Sequence, residues 1–244
     1  MEITIQVDKL CKSYDGIRVV KNLDVSVSCG EVFGLLGANG AGKSTTMECI
    51  LGTKKLDSGT VSILGMNPHT ERKKLFERVG VQFQEANYQD KITLEELCQE
   101  TYCLYKRPAD YKVLLKQFGL ESKTKNMVKE LSGGQKQRLF IILALISNPD
   151  VIFLDELTTG LDPKARRSVW SSLLELKKKG LTIFLTSHFM DEVEALCDRI
   201  GILKNGSLIF SGTVQEAISA SPYEKLEDAY LWYTGEGELD YESI

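Results

Sequence analysis

The sequence predicts an α/β fold: a mainly parallel sheet flanked by helices, with an antiparallel β part at its start and a helical insertion inside it. Three observations carry this reading. The short apolar runs at 32–36, 151–154 and 183–186 are each followed by a helical pattern, and buried strands alternating with helices imply a parallel sheet covered on both faces. Residues 2–8 and 22–28 alternate apolar and polar as half-buried strands do, with Tyr14-Asp15-Gly16 as a turn signal between them, so the opening is antiparallel. Residues 93–118 carry no strand pattern. There Thr93-Leu94-Glu95-Glu96 reads as an N-cap followed by acidic first-turn residues, and Pro108-Ala109-Asp110 separates two helices. Ile202-Leu203, Asn205-Gly206 and Leu208-Ile209 read as a hairpin around a type I′ turn. From Tyr223 an acidic tail starts as a short helix and ends frayed.

Composition sets the outer limits. A chain of 244 residues can bury a core without disulfides or metals. Its 43% hydrophobic and 26% charged residues exclude disordered, collagenous and coiled-coil classes. A formal net charge of −4 makes a dedicated nucleic-acid binder a poor fit. The longest apolar run, 139–146, falls far short of the ~20 residues needed to span a bilayer, and MEITIQVDKL reads as a strand rather than a signal peptide. A cytosolic protein is therefore expected. Six scattered cysteines without a CxxC pair argue for free thiols.

Chemistry concentrates in three segments. Gly37-Ala38-Asn39-Gly40-Ala41-Gly42-Lys43-Ser44-Thr45 fits GxxxxGK[ST], after an apolar strand and before a helix. The glycines let successive N–H groups turn inward, and the helix adds its free N–H groups and positive end, forming a phosphate cradle. Lys43 reaches β- and γ-phosphates, and the Ser44 hydroxyl is placed to ligate Mg²⁺. Val151-Ile152-Phe153-Leu154-Asp155-Glu156 brings two carboxylates to the carboxyl end of a buried strand, the edge at which α/β sheets bind ligands. Adjacent strand residues point to opposite sides, so the two acids have different tasks. Asp155 suits Mg²⁺, and Glu156 suits polarising the attacking water as a general base. Leu131-Ser132-Gly133-Gly134-Gln135 opens a helix running to Ile146, with Ser132 as N-cap. This second anion-binding helix end either takes another anion or closes over the same γ-phosphate from a different subunit.

With GANGAGKST, LSGGQKQRL and VIFLDE in this order, followed by Thr159-Gly160-Leu161-Asp162 and His188, the chain resembles the nucleotide-binding subunit of an ABC transporter over residues 3–235. The resemblance implies a P-loop NTPase fold in which 1–220 form one ATPase domain. Within it, 1–87 and 147–220 would make the α/β core with its antiparallel part, 88–146 the helical subdomain with the signature motif, and 221–244 a C-terminal extension. It implies ATP and Mg²⁺ as ligands. Two subunits, a homodimer or a paired ATPase subunit, would pack head to tail so that Ser132, Gly133, Gly134 and Gln135 of one close over the ATP held by Gly37, Asn39, Gly40, Ala41, Gly42, Lys43, Ser44 and Thr45 of the other.

Other positions take roles from the same resemblance. Tyr14 matches the aromatic that stacks on adenine. Gln84 matches the glutamine that senses Mg²⁺ or water, joining Ser44 and Asp155 at the metal. His188 matches the histidine that touches the γ-phosphate, so Glu156, His188 and Gln84 form the catalytic set. Asp162 matches the aspartate that crosses the dimer interface, with a local cap before Pro163 as its alternative. One departure stands at Leu157, where the family commonly has proline; leucine would leave that turn freer and add a donor to satisfy.

The implied partner is an integral membrane permease, which would hold the subunit at the inner face of the cell membrane; no direct nucleic-acid contact is expected. Residues 85–118 are the docking surface in this family, with Tyr88 and Leu94 as candidate contacts. The end, Lys225-Leu226-Glu227-Asp228-Ala229-Tyr230-Leu231 with Tyr233-Thr234-Gly235, resembles the LEDxF and TG tail of exporter subunits for drugs, antibiotics, polysaccharides or lipids, with Tyr230 replacing phenylalanine. Importer subunits often carry a long regulatory domain for which 244 residues leave no room. The alternative is a soluble ABC-type ATPase acting on a cytosolic macromolecule.

Overall fold

The computed structural model describes residues 2–83, 88–158 and 160–235. Among these residues the strands form two sheets. In the smaller, β1 (Ile3–Tyr14) lies between β2 (Ile17–Ser28) and β4 (Ser58–Ile63), antiparallel to both. The opening hairpin is thus longer than the alternating stretches predict, and β4 joins it as a third strand. The larger sheet runs β5 (Val79–Gln82), β6 (Val151–Asp155), β7 (Thr182–Ser187), β3 (Val32–Leu36), β8 (Arg199–Lys204) and β9 (Ser207–Thr213). It is parallel from β5 through β8, and β9 returns antiparallel along β8. Asn205 and Gly206 both take positive φ, 49° and 80°, as the predicted type I′ hairpin turn requires.

Burial on both faces explains why these strands read as unbroken apolar runs. In β6, Ile152 and Leu154 point into one core while Val151 and Phe153 point into another; in β7, Ile183 and Leu185 oppose Phe184 in the same way. Phe33, Phe184 and Phe153 stack across three neighbouring strands at centroid separations of 5.6 and 5.4 Å, filling the layer between the two sheets with α1 (Lys43–Ile50). The short α2 (Arg72–Leu75) precedes β5.

The opposite face is covered by the helical insertion, α3 (Leu94–Cys103), α4 (Tyr111–Gln117) and α5 (Gly133–Ile146), and by α6 (Pro163–Lys178). Thr93 caps α3 through a capping box with Glu96, and Asp110 caps α4, as their sequence signals predict. Gly80 on β5 admits the Ala144 carbonyl of α5 where a Cβ would collide with it, so helix and edge strand approach backbone to backbone.

A third cluster gathers Leu36, Ile200 and Ile202 with Val193 of α7 (Met190–Leu196), Ala217 of α8 (Val214–Ser219), and Leu226 and Tyr230 of α9 (Leu226–Thr234). The C-terminal helix is therefore docked on the core through the LEDAY segment. The frayed end predicted beyond it lies outside the described residues, and no helix of the described chain is long and apolar enough to cross a membrane.

Candidate functional site

The chain leaves β3 at Leu36 and turns back over the strand ends. Gly40 and Gly42 take left-handed conformations, φ 82° and 105°, so the glycine spacing is a backbone requirement. At Gly37 a Cβ would stand 2.6 Å from the Leu203 carbonyl, and at Gly42 2.8 Å from the Val19 carbonyl. The loop is thus pressed against β8 and β2. The β8–β9 turn props it from below, with the Gly206 N–H donating to the Ala41 carbonyl at 3.1 Å and the Lys21 N–H to the Gly206 carbonyl at 2.7 Å. This support has no motif of its own and was not legible in the sequence.

A cavity of about 420 Å³ opens over the loop, lined by Val19, Asn39, Gly40, Gly42, Lys43, Ser44, Thr45 and Glu156. The Lys43 ammonium donates to the carbonyls of Gly37 and Ala38 at 2.8 and 3.2 Å. Burial pushes its pKa down, opposed by the carboxylates of Glu156 and Asp155. Thr46 ties the first turn of α1 to the loop by donating its hydroxyl to the Gly42 carbonyl at 2.8 Å. An anion entering the cavity meets loop N–H groups, a helix N-terminus and a desolvated cation together.

At the end of β6 the two carboxylates part, though not by the expected strand alternation: β6 ends at Asp155, and Glu156 leaves it in a left-handed conformation. Asp155 turns to Ser44, whose hydroxyl stands 3.5 Å away, and accepts a short hydrogen bond from the Thr186 hydroxyl of β7. Glu156 takes a left-handed φ of 49°, held by its N–H donating to the Thr186 carbonyl at 3.2 Å and hydroxyl oxygen at 3.1 Å. Its side chain faces the cavity, with Oε1 3.8 Å from Nδ1 of a half-exposed His188. Ser44 and Asp155 offer one hydroxyl and one carboxylate, and among the described residues no larger acidic, His or Cys cluster surrounds them. That set fits Mg²⁺, which takes one or two protein groups and completes its shell with water and substrate phosphates.

Leu157 corrects the expectation of a freer turn. Its side chain is fully buried in the helical core, and its carbonyl accepts from the Gln137 amide of α5 at 2.8 Å. The turn after Glu156 is pinned at both side chain and backbone.

Other predicted residues lie apart from this cavity. Ser132 caps α5, accepting from the Gln135 N–H at 3.3 Å while the Gln135 amide oxygen accepts from the Ser132 N–H at 2.9 Å. Ser132, Gly133, Gly134 and Gln135 do not line the cavity over the phosphate loop. Asp162 is the N-cap of α6, accepting from the Ala165 N–H at 2.9 Å ahead of Pro163, so the local-cap alternative is present. Tyr14 is 39% exposed at the end of the first hairpin, with the Lys12 ammonium 4.9 Å from its ring centroid. Gln84 and Thr159 lie outside the described residues. Tyr88 packs at 6.1 Å on the ring of Phe140. Leu94 is withdrawn as a docking contact: it is fully buried under α3, because the first apolar residue of an amphipathic helix faces the core.

Sequence reasoning missed Thr186, Gln137 and Val19. A threonine ending an apolar strand and a glutamine within a helix are too common to stand out.

Residues 20–159 match the family described as ABC transporter. Nod factor export ATP-binding protein I of Paraburkholderia xenovorans (strain LB400) is 41% identical over 229 residues, which cover 90% of this chain and 74% of that protein. The solved ATP-binding subunit of an ABC transporter superposes with a TM-score of 0.87 at 28% identity, covering 95% of this chain and 99% of the other. An ATP-binding cassette captured as a dimer in a post-hydrolysis state with ADP and Pi superposes at 0.77 and 26% identity, over 86% and 98% of the two chains.

Proposed function

This chain belongs to the ABC transporter family, whose members bind and hydrolyse ATP, and from that premise we propose that it powers export through a separate membrane subunit by ATP-driven pairing of two ATPase subunits. The observation that carries the reading is the placement of Lys43, Asp155, Glu156 and His188 around one phosphate-binding loop. The export relative supports the direction of transport, as does the docked LEDAY helix.

In this reading Gly37, Asn39, Gly40, Ala41, Gly42, Lys43, Ser44 and Thr45 bind the phosphates through backbone N–H groups and the Lys43 ammonium. Tyr14 stacks on adenine. Ser44 and Asp155, joined by Gln84 if its role follows the resemblance, would hold Mg²⁺, which when bound would supply charge neutralisation on the triphosphate. Glu156 takes a proton from the attacking water as the bond to the γ-phosphorus forms and the bond to the ADP oxygen breaks. His188 holds the γ-phosphate and the water in line.

The separation of the Ser132 helix end from the loop's cavity supports closure in trans. Ser132, Gly133, Gly134 and Gln135 of one subunit would complete the site of the other, with Asp162 at the interface. The domain layout follows: 1–87 and 147–220 form the ATPase core, 88–146 carries the signature motif, and 221–244 extends it. A permease docked on 85–118 would place the subunit at the inner face of the cell membrane.

The test is to tag the Glu156→Gln chain, express it in its native host and identify what co-purifies from mildly solubilised membranes with ATP. A polytopic membrane protein in the ATP-bound complex is the expected result. Recovery of soluble partners alone would replace transport by a cytosolic ABC-type ATPase.

A further inference from the structure

His188 stands between two supports. On one side Glu156 Oε1 lies 3.8 Å from its Nδ1. On the other, the ring of Phe189 lies 4.1 Å from the imidazole, centroid to centroid. Phe189 is itself engaged by the Arg166 guanidinium, 4.6 Å from its ring centroid, and Arg166 donates to Asp191 at 2.8 Å. A continuous series of contacts therefore runs from Asp191 through Arg166, Phe189 and His188 to Glu156.

Two features argue that this series fixes the imidazole. Phe189 occupies the N-cap position of α7 and offers no side-chain cap; the Ser187 hydroxyl holds the backbone on either side of His188 by accepting from the Phe189 N–H at 3.0 Å, which leaves the imidazole itself to be oriented by its ring contacts. Arg166 keeps its buried Nε without a hydrogen-bond partner among the described residues, a cost that a mere surface ion pair would avoid by swinging outward. The guanidinium stays against the aromatic face, where its charge meets the ring quadrupole. Arg166 also sits one turn into α6, its N–H donating to the Asp162 carbonyl at 2.9 Å. The positioning group and the proposed interface aspartate thus share one helix end.

We infer that Arg166, acting through Phe189, is a positioning residue for ATP hydrolysis that sets where the His188 imidazole stands relative to Glu156. The inference rests on the site reading proposed above. Misplacing a reacting or orienting group by about 1 Å costs on the order of 10²-fold in rate. Arg166→Ala is accordingly expected to lower kcat by about 10- to 100-fold while the KM for ATP changes by less than about twofold. Arg166→Lys should restore part of the loss, since an ammonium also binds an aromatic face. Phe189→Tyr should retain activity, and Phe189→Leu, which fills space without a π face, should lose it.

The chain has only two histidines, His69 and His188, which makes a second readout direct. In ¹³C-histidine-labelled protein, with His69 assigned through His69→Gln, Arg166→Ala should displace the His188 resonance and leave that of His69 in place. An unmoved His188 resonance with near wild-type kcat would overturn the inference, as would a kcat loss that lysine does not relieve. If His188→Ala hydrolyses ATP normally, the site reading falls and this role falls with it. If His188→Ala is inactive while Arg166→Ala is not, the positioning role alone falls.

Discussion

The Thr186 hydroxyl donates to Asp155 and accepts from the Glu156 N–H, so one residue of β7 fixes both acids at the end of β6. Thr186→Val keeps the shape and removes both hydroxyl bonds, leaving a buried carboxylate oxygen without this donor while the Glu156 N–H keeps only the backbone carbonyl of residue 186. The expected loss of stability is about 1–3 kcal/mol. Hydrolysis should fall and need more Mg²⁺ for half-maximal rate. Urea unfolding and a Mg²⁺ titration of ATPase activity check both, with Thr186→Ser recovering most of the loss.

Leu157 supplies the second prediction. Its buried side chain makes Leu157→Ala a cavity substitution costing about 2–5 kcal/mol. Gln137→Leu removes the donor to the Leu157 carbonyl and should slow turnover with a smaller stability loss. A parallel set of denaturation curves and kcat values separates packing from orientation.

The third concerns Lys43. Its folded pKa is depressed by burial, so between that value and the ordinary lysine value of 10.5 the unfolded chain binds more protons and stability rises with pH. Below the folded value the desolvation cost is fully present. Lys43→Met should therefore raise the melting temperature of the nucleotide-free chain, by an amount worth about 1 kcal/mol or less, while abolishing the further rise that ATP gives. Thermal scans with and without ATP decide it.

Acid should loosen the helical insertion. Hydrogen bonds from the Thr93 hydroxyl and N–H hold the Glu96 pKa down. Its contribution is thus present above the ordinary glutamate value of 4.5 and is lost as pH falls through the depressed folded value. Thr93→Ala should cost about 1 kcal/mol at neutral pH and flatten this acid dependence, read from melting temperatures across the range.

How much of this was legible depended on whether a residue's task leaves a local trace. The phosphate loop did, because left-handed φ at Gly40 and Gly42 admits few residue types and the adjoining strand and helix have their own periods. The parting of Asp155 and Glu156 was expected from the two-residue period of a strand, but β6 ends at Asp155 and the left-handed backbone of Glu156 produces it, which no local pattern marks. β4 was missed because its exposed Ser58-Gly59-Thr60 start lacks alternation, and β5 because four residues are too few to show a period. Thr186, Gln137 and the Gly206 turn act across long sequence separations. Leu94 misled for a related reason: a helix's sequence marks which residues are apolar, while burial decides which way they face.

The phosphate loop and the Ser132-capped helix end belong to one chain but not to one cavity. In the proposed pair, damage to either half-site is therefore not equivalent to loss of a chain. Two copies of Lys43→Ala leave no sound ATP site, and neither do two copies of Ser132→Arg. When one copy of each is combined, both lesions fall in the same composite site and the other is wild type on both sides. Two inactive alleles would complement each other, with a ceiling set by one working site per pair.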